Sequence, residues 1–405
     1  MNRLALTLCV LGTAASSLLA QSAQPKRPQA VTADTNSARH YYQYALSLID
    51  SKPKEAGDAL YWALKLAPGW AEALYARRVA LLRSDERLLV KYIQANTKAR
   101  RQFRGVDSLL SRARMIEPFL YQDLDKDMLM HYFRAAIEQD VRRNNSSVNP
   151  GELQYAIDQY ARDMMRPDGD PNFTGWLAFS EHRLPEALAL YAKAIGKKHD
   201  KPEIHDTRAT IFYLMGQYDS AAAELRHAMA ELKKDEDKEL QILYQPKAML
   251  LHRLGYTMLR KNDVEAARQA FAGALEEDLS FYPAHLMLAS LALTARDTAT
   301  AMQEMQLAVE LNPAEATPYL RQADLLFALG QYEAATTALR KIVAMEPYWA
   351  APHLQLALAA EKLGKPDEAL QHYKNYLARA GREDQRATSV RERIRALNGN
   401  SGDNP

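Results

Sequence analysis

A period of 34 residues constrains the fold of this chain more than any other feature. Tyr282, Ala316 and Ala350 stand 34 residues apart, and each begins a unit in which the same residue types recur at fixed places. Alanine recurs at the eighth and twentieth places, as Ala289, Ala323, Ala357, Ala301, Ala335 and Ala369. A fixed period of this length in a sequence rich in helix formers predicts a solenoid of stacked helical hairpins.

The recurring places have physical roles in such a hairpin. Small side chains let two helix axes cross closely, which explains the alanines. Glycine at the fifteenth place, Gly330 and Gly364, can adopt a left-handed backbone and end the first helix. The pattern resembles the tetratricopeptide repeat, most clearly in Ala323, Leu326, Gly330, Tyr332, Ala335, Leu339 and Pro347. The resemblance implies an all-α fold, a right-handed superhelical α-solenoid of helix-turn-helix repeats.

The period divides the chain into segments. A six-repeat array is predicted for residues 168–383, with units beginning at 168, 202, 248, 282, 316 and 350. The third unit begins 46 residues after the second, so an insertion near 233–245 predicts an extended helix pair. Outside the array we predict an N-terminal repeat at 37–70, an irregular helical region with degenerate repeats at 71–167, a capping helix at 384–397 and a disordered tail at 398–405.

The N-terminus has the pattern of an export signal. A short basic start precedes an apolar run from Leu4 to Leu19, and small residues follow it. Residues 1–22 are therefore predicted to be a cleaved signal peptide, with an uncleaved membrane anchor as the alternative. Residues 23–36 are predicted to be a disordered linker, because they are polar and contain prolines. These features predict a periplasmic or secreted protein without a stable membrane span after cleavage.

The search for chemistry gives little. The only cysteine, Cys9, lies in the predicted signal peptide, and neither a glycine-rich phosphate loop nor a zinc-protease motif is present in the sequence. His205, His285 and His353 share the fourth place of their units, but repeats about 10 Å apart cannot share one metal ion. We therefore predict no catalytic residue, no metal site and no cofactor. An enzyme with a site in 71–167 remains an alternative, with Glu117, Asp123, His131 and Asp140 as its candidates.

Charge gives a second alternative. The chain has 52 Lys and Arg residues against 50 Asp and Glu residues, so no overall field attracts nucleic acid. One local basic cluster exists, formed by Lys98, Arg100, Arg101, Arg104, Arg112 and Arg114. It indicates either a solvated helix face or a binder of nucleic acid or another anionic polymer.

The resemblance also implies a binding surface. In tetratricopeptide repeats, places two, five, nine and twelve of the first helix face a concave groove. The groove residues implied by these places are Trp176, Phe179, Tyr213, His252, Tyr256 and Phe327. Arg260, one place further along its helix, is included as a neighbour of this aromatic surface. The leading hypothesis is an exported, non-enzymatic scaffold that binds a peptide or helix of another protein there, in envelope assembly or secretion. The alternative is that the inserted region near 233–245 buries some of these aromatic residues.

Overall fold

A computed structural model describes residues 24–28, 34–85, 104–120, 149, 151–152, 154–155, 159, 170–196, 201–236 and 244–400. Within these residues the chain forms 17 α-helices and no β-strand. The predicted all-α helical-repeat fold is confirmed. Residues 1–22, with the predicted signal peptide, lie outside the described residues, as do Lys98, Arg100, Arg101, Asp123, His131 and Asp140.

The N-terminal helices are α1 (Ala38–Leu48), α2 (Pro53–Leu66), α3 (Ala71–Arg83) and α4 (Arg104–Ile116). The array contains α5 (Pro171–Ser180), α6 (Leu184–Gly196), α7 (Pro202–Leu214), α8 (Tyr218–Glu236), α9 (Tyr244–Arg260), α10 (Val264–Glu277), α11 (Tyr282–Thr294), α12 (Thr298–Leu311), α13 (Ala316–Ala328), α14 (Tyr332–Met345), α15 (Ala351–Lys362) and α16 (Pro366–Arg379). The last helix is α17 (Arg386–Asn400), which continues three residues into the predicted tail.

Each unit of the array is a hairpin of two helices in contact, and successive hairpins also pack on each other. The small residues at the crossing points are buried: Ala335 and Ala369, at the twentieth place, are fully inaccessible to solvent. The second and third units are the ones separated by the insertion, and there α8 is 19 residues long and α9 is 17. These two helices flank residues 237–243, so most of the predicted insertion near 233–245 lies outside the described residues.

The turn between the two helices of each unit has one constant feature. The residue at the fifteenth place has a positive φ in all six units, within the range of 60° to 74°. Glycine fills it in three units, whereas the other three have His182, Asn262 and Arg296. A single left-handed residue ends the first helix, and its N–H bonds to a carbonyl of that helix, as from Gly330 to Phe327 at 3.0 Å. The backbone conformation therefore repeats more faithfully than the residue type.

The N-terminal hairpin packs against the C-terminal repeats. The Trp62 ring of α2 meets the Tyr348 ring edge-on at 5.4 Å between centroids. The Lys65 ammonium lies 2.9 Å from a carboxylate oxygen of Glu346, and both side chains are partly buried. The Arg27 guanidinium lies 4.4 Å from the centre of the Trp62 ring. The two ends of the described chain are thus in contact, which the repeat period does not predict.

These contacts correct the prediction of a disordered linker at 23–36. The Trp62 indole N–H donates to the Pro25 carbonyl at 2.9 Å. The Asp34 carboxylate is buried and accepts the backbone N–H of Arg382 at 2.6 Å. Residues 24–28 and 34–36 are polar, but an aromatic face and free backbone donors fix them on the repeats. None of the described helices is both long and apolar enough to cross a bilayer.

Candidate functional site

We use the name groove face for the side of the repeats that carries the second, fifth, ninth and twelfth places of their first helices. A cavity of about 400 Å³ lies there between α9, α11 and α13. Four side chains of α11 that line it occupy the second, fifth, ninth and twelfth places: Pro283, Leu286, Ser290 and Leu293. The other lining residues are Met115, Ile116, His252, Tyr256, Tyr282, Met287, Ala289, Met305, Thr317, Arg321, Asp324 and Leu325. The cavity is thus mainly apolar, with a few polar groups.

A smaller cavity of about 150 Å³ lies on the groove face of the first two units of the array. Trp176 and Phe179 line it on one side, and Asp206, Thr210 and Arg253 line it on another. The opposite side is formed by the N-terminal region, namely Tyr75, Leu110, Arg114, Pro118 and Leu120. This cavity is therefore enclosed between the groove face and a distant part of the same chain.

The element between the two cavities is α4 with the turn that follows it. The Phe119 ring of this turn stacks on the Tyr213 ring, with 3.7 Å between centroids and 3° between planes. The Arg253 guanidinium lies over the Phe119 ring at 4.4 Å from its centre. Phe119 is buried, and it belongs to the apolar cluster that joins α7 to α11. Tyr213 is therefore covered by the turn after α4, and not by the inserted region that the sequence analysis considered.

Arg253 is a member of this site that the sequence analysis missed. It stands at the sixth place of its unit, outside the four places implied by the resemblance. Its guanidinium donates to the Asp206 carboxylate and, at 2.5 Å, to the Thr210 hydroxyl. Burial lowers the pKa of Arg253 to about 9, so the side chain remains charged at neutral pH. Only the tertiary contact between α7 and α9 brings these groups together, so no local sequence signal identifies Arg253.

His252 forms the floor of the large cavity. It is fully buried, and its ring packs at 5.0–5.4 Å from the rings of Tyr256, Phe271 and Phe281. Neither ring nitrogen has a hydrogen-bond partner among the described residues. Burial lowers the pKa of His252 to about 3, so the ring is neutral at physiological pH. His252 is therefore mainly a packing residue, and Tyr256 is the member of this pair that remains half-exposed.

The structure separates the other two predicted groove residues from both cavities. The Arg260 guanidinium donates to the Tyr218 hydroxyl at 2.7 and 3.0 Å. The Phe327 ring packs edge-on against Tyr332 of its own unit at 5.3 Å. Trp176, Phe179, His252 and Tyr256 line cavities, Tyr213 contacts Phe119, and these two residues take part in local contacts.

Two of the three histidines at the fourth place, His205 and His285, have a structural role. The Nδ1 atoms of His205 and His285 lie 2.6 and 2.7 Å from carboxylate oxygens of Glu224 and Glu304, nineteen residues later on the second helix. His353 faces His372 at the same spacing, with 3.4 Å between Nδ1 atoms. Each pair joins the two helices of one unit. In the described residues no group of three or more His, Cys, Asp or Glu side chains could hold a metal ion.

The basic cluster is divided by the structure. Arg112 pairs with Glu315 at 3.4 Å, and Arg114 borders the small cavity. Glu117, the one described candidate of the enzyme hypothesis, is exposed as a residue, but partial desolvation of its carboxyl together with the charge of Glu72 raises its pKa.

Comparison with known proteins agrees with the repeat pattern. Residues 316–348 match the tetratricopeptide repeat family model. A search of curated proteins finds no match. Similar solved structures include the C-terminal part of a tetratricopeptide repeat protein from Cytophaga hutchinsonii (16% identity, TM-score 0.43, covering 56% of this chain and 95% of that chain). Yeast Tom70 is 14% identical, with a TM-score of 0.43 and 90% of both chains covered. Pseudomonas aeruginosa pilF is 17% identical, with a TM-score of 0.40 and coverage of 57% and 96%. The family match thus falls on α13 and α14, the hairpin in which the 34-residue pattern is most complete.

Proposed function

We propose that this protein is an exported, non-enzymatic scaffold that binds a segment of another protein on its groove face, in envelope assembly or secretion. The observation that carries the proposal is the cavity of about 400 Å³ between α9, α11 and α13. Its size and its apolar lining with a few polar groups are typical of ligand sites. The predicted occupant is a bulky apolar side chain of a partner peptide or helix.

Two features favour a polypeptide as the occupant. Met115, Met287 and Met305 line the cavity, and flexible methionine side chains adapt to varied apolar surfaces. Ser290 is exposed at the cavity, and the charged groups of Arg321 and Asp324 supply polar contacts beside it. This face also already receives one polypeptide segment, the turn containing Phe119. A neighbouring stretch of the same face is suited to a second segment.

Photo-crosslinking in the native cells tests the binding site. A photoreactive amino acid at position 321 reports on the cavity, and one at Gln303, which is exposed on α12 and does not line it, is the control. We expect position 321 to crosslink one discrete protein that position 303 does not. The variant Ser290→Trp fills the cavity without removing a buried side chain, and it should abolish that crosslink.

The crosslinked segment of the partner is then made as a peptide. We expect Ser290→Trp to weaken its binding at least tenfold, which corresponds to about 1.4 kcal/mol, while Gln303→Trp leaves it unchanged. Equal crosslinking from both positions, or a crosslink that persists in Ser290→Trp, would refute the groove assignment.

Export is tested separately. Cleavage after Ser22 predicts a mature protein that begins at Ala23 and is recovered from the periplasm or the medium. N-terminal sequencing of the protein from its native cells measures this directly. A protein that retains Met1 and stays in the cytoplasmic fraction contradicts the proposed location but not the binding site.

A further inference from the structure

Tyr213 and Arg253 enclose an aromatic ring from two sides, and we call this arrangement the ring site. Phe119 is the ring that fills it, parallel to Tyr213 at 3.7 Å and beneath the Arg253 guanidinium at 4.4 Å. A stacked aromatic pair and a cation over a ring face are both favourable, more so when they are shielded from water. The ring site is therefore chemically selective for an aromatic side chain.

The ring site is built without α4. Tyr213 belongs to α7 and Arg253 to α9. The Arg253 guanidinium is held in place by Asp206 and Thr210, which also belong to α7. Two packed repeats of the array thus position every group of the site, and a preformed site of this kind loses little entropy when a ring enters.

The segment that carries Phe119 contacts the ring site through a side chain, as a bound ligand would. Its backbone hydrogen bonds are local: Glu117 N–H donates to the Ala113 carbonyl at 2.8 Å, and Leu120 N–H donates to the Glu117 carbonyl at 3.1 Å. The Phe119 side chain joins the turn to the groove face, through its contacts with Tyr213 and Arg253. Met115 of α4 packs on the same apolar cluster as Phe119, and α4 adds the ion pair from Arg112 to Glu315 at 3.4 Å.

Packing around the segment is also incomplete. The cavity of about 400 Å³ adjoins Met115 and Ile116, and the cavity of about 150 Å³ adjoins Pro118 and Leu120. Protein interiors are close-packed, with few voids larger than a water molecule. A segment with a cavity on each side loses fewer contacts on leaving than a core element does.

We propose that the ring site is a receptor for an aromatic side chain of the bound partner, and that Phe119 is an internal ligand that this side chain replaces. The inference rests on the proposed function, and it adds the chemistry of the partner. The partner segment carries a phenylalanine, tyrosine or tryptophan for the ring site and a second apolar residue for the neighbouring cavity. Binding of the partner then requires the release of Phe119.

Replacement of the internal ligand in trans tests this proposal. The variant Phe119→Ala empties the ring site, and the probe is a fluorescent peptide with the sequence of residues 112–120. In the wild-type protein the tethered Phe119 competes at a high effective concentration. We therefore expect the peptide to bind Phe119→Ala at least tenfold more tightly than the wild-type protein, as measured by fluorescence anisotropy. The same peptide with alanine in place of Phe119 should not bind either protein.

Two further variants locate the binding. In the Phe119→Ala background, Tyr213→Ala should weaken binding at least fivefold. Phe212→Ala is the matched control on the same helix, because its ring lies 5.8 Å from Arg208 and not in the ring site. Circular dichroism confirms that each variant is folded. A folded Phe119→Ala protein that binds the peptide no better than wild type overturns the proposal, as does binding that Tyr213→Ala leaves intact.

A measurement on the wild-type protein covers the case in which Phe119→Ala does not fold. Excess peptide should increase hydrogen exchange in residues 115–120, because it releases the internal segment. Exchange that stays unchanged at saturating peptide overturns the proposal. The two proposals can also be refuted separately. If the crosslink from position 321 persists when the peptide occupies the ring site, the proposed partner-binding site is retained. The proposal that partner binding requires the release of Phe119 is then refuted.

Discussion

Gly255→Ala is the substitution whose effect is defined most sharply by the structure. Gly255 holds the eighth place of its unit, where four other units have alanine. A Cβ atom added there would lie 2.4, 2.6 and 2.7 Å from three carbons of the Phe271 ring, closer than real Cβ contacts. Phe271 is fully buried and is confined by the rings of His252 and Tyr256, so it cannot move aside. One added methyl group therefore forces a shift in a closed aromatic cluster.

The magnitude follows from two opposing effects. Replacing glycine by alanine inside a helix normally stabilises by about 1 kcal/mol. Overpacking of a filled core costs about 1–3 kcal/mol, and this close approach to a confined ring places it at or above the upper end. We expect Gly255→Ala to lower the free energy of unfolding by about 2 kcal/mol. Gly273→Ala is the matched control on α10, because its added Cβ would meet Leu251 at an ordinary 3.6 Å. The control should be stabilising by about 0.5–1 kcal/mol.

Chemical denaturation followed by circular dichroism measures both variants. The double variant Gly255→Ala with Phe271→Leu recreates the pair of Ala323 and Leu339 in the unit that begins at Ala316. It should recover at least 1 kcal/mol relative to the sum of the single effects, because the two side chains are in direct contact, and couplings of about 0.5–3 kcal/mol are usual there. If Gly255→Ala is as stable as Gly273→Ala, or if the two substitutions are additive, the steric argument is refuted.

Four further predictions follow from the same packing. Ala335→Glu places a charge at a fully buried helix crossing and should destabilise its hairpin by several kcal/mol, so an unchanged melting temperature would contradict it. Trp62→Ala removes the ring that meets Tyr348 and should cost about 3 kcal/mol, with faster hydrogen exchange at residues 346–348. Arg296→Gly removes the cost of a left-handed residue at φ 62°, about 1–2 kcal/mol, but adds about 0.5–1 kcal/mol of unfolded-chain entropy. It should therefore raise the denaturant midpoint, with a net gain in stability of about 0.5–1 kcal/mol. For His252 the folded pKa is about 3 against 6.5 in the unfolded chain, so below pH 6.5 only the unfolded state binds the proton and stability falls as the pH falls toward 3. His252→Phe should remove a slope of up to about 1.4 kcal/mol per pH unit in that range, and an unchanged slope would show that His252 does not titrate in this way.

Much of the hairpin architecture could be predicted because it depends on contacts that are short in sequence and repeated. Ala301 and Ala335 are fully buried at the crossings where their size is required. The turn at the fifteenth place was predicted from two glycines, and its conformation extends to units that lack glycine there. A left-handed residue costs an L-amino acid only about 1–2 kcal/mol, so the hairpin imposes the turn on His182 or Arg296 and the sequence signal is lost.

The contents of the groove could not be predicted in the same way. Places on the first helices indicate which side chains face the groove, and Trp176, Tyr256 and Ser290 do line its cavities. The occupant of the ring site, Phe119, does not belong to the repeated pattern. The 34-residue period therefore does not indicate its contact with Tyr213. Arg253 of α9 is likewise positioned by its contact with Asp206 of α7, which lies 47 residues earlier in the sequence.

The contact between the two ends of the described chain and the occupation of the ring site by Phe119 both involve the N-terminal helices. α4 packs on α3 and α3 packs on α2, and α2 contacts the C-terminal repeats through Trp62 and Tyr348, which are 286 residues apart (348 − 62). A solenoid whose repeats contact only their neighbours has no means to return an N-terminal segment to its own middle. Here the hairpin of α1 and α2 packs against the C-terminal repeats. The turn after α4 lies on the groove face, where Phe119 contacts Tyr213 of α7 and Arg253 of α9. The same N-terminal helices thus take part in both contacts, the one between the two ends of the described chain and the one between Phe119 and the groove face.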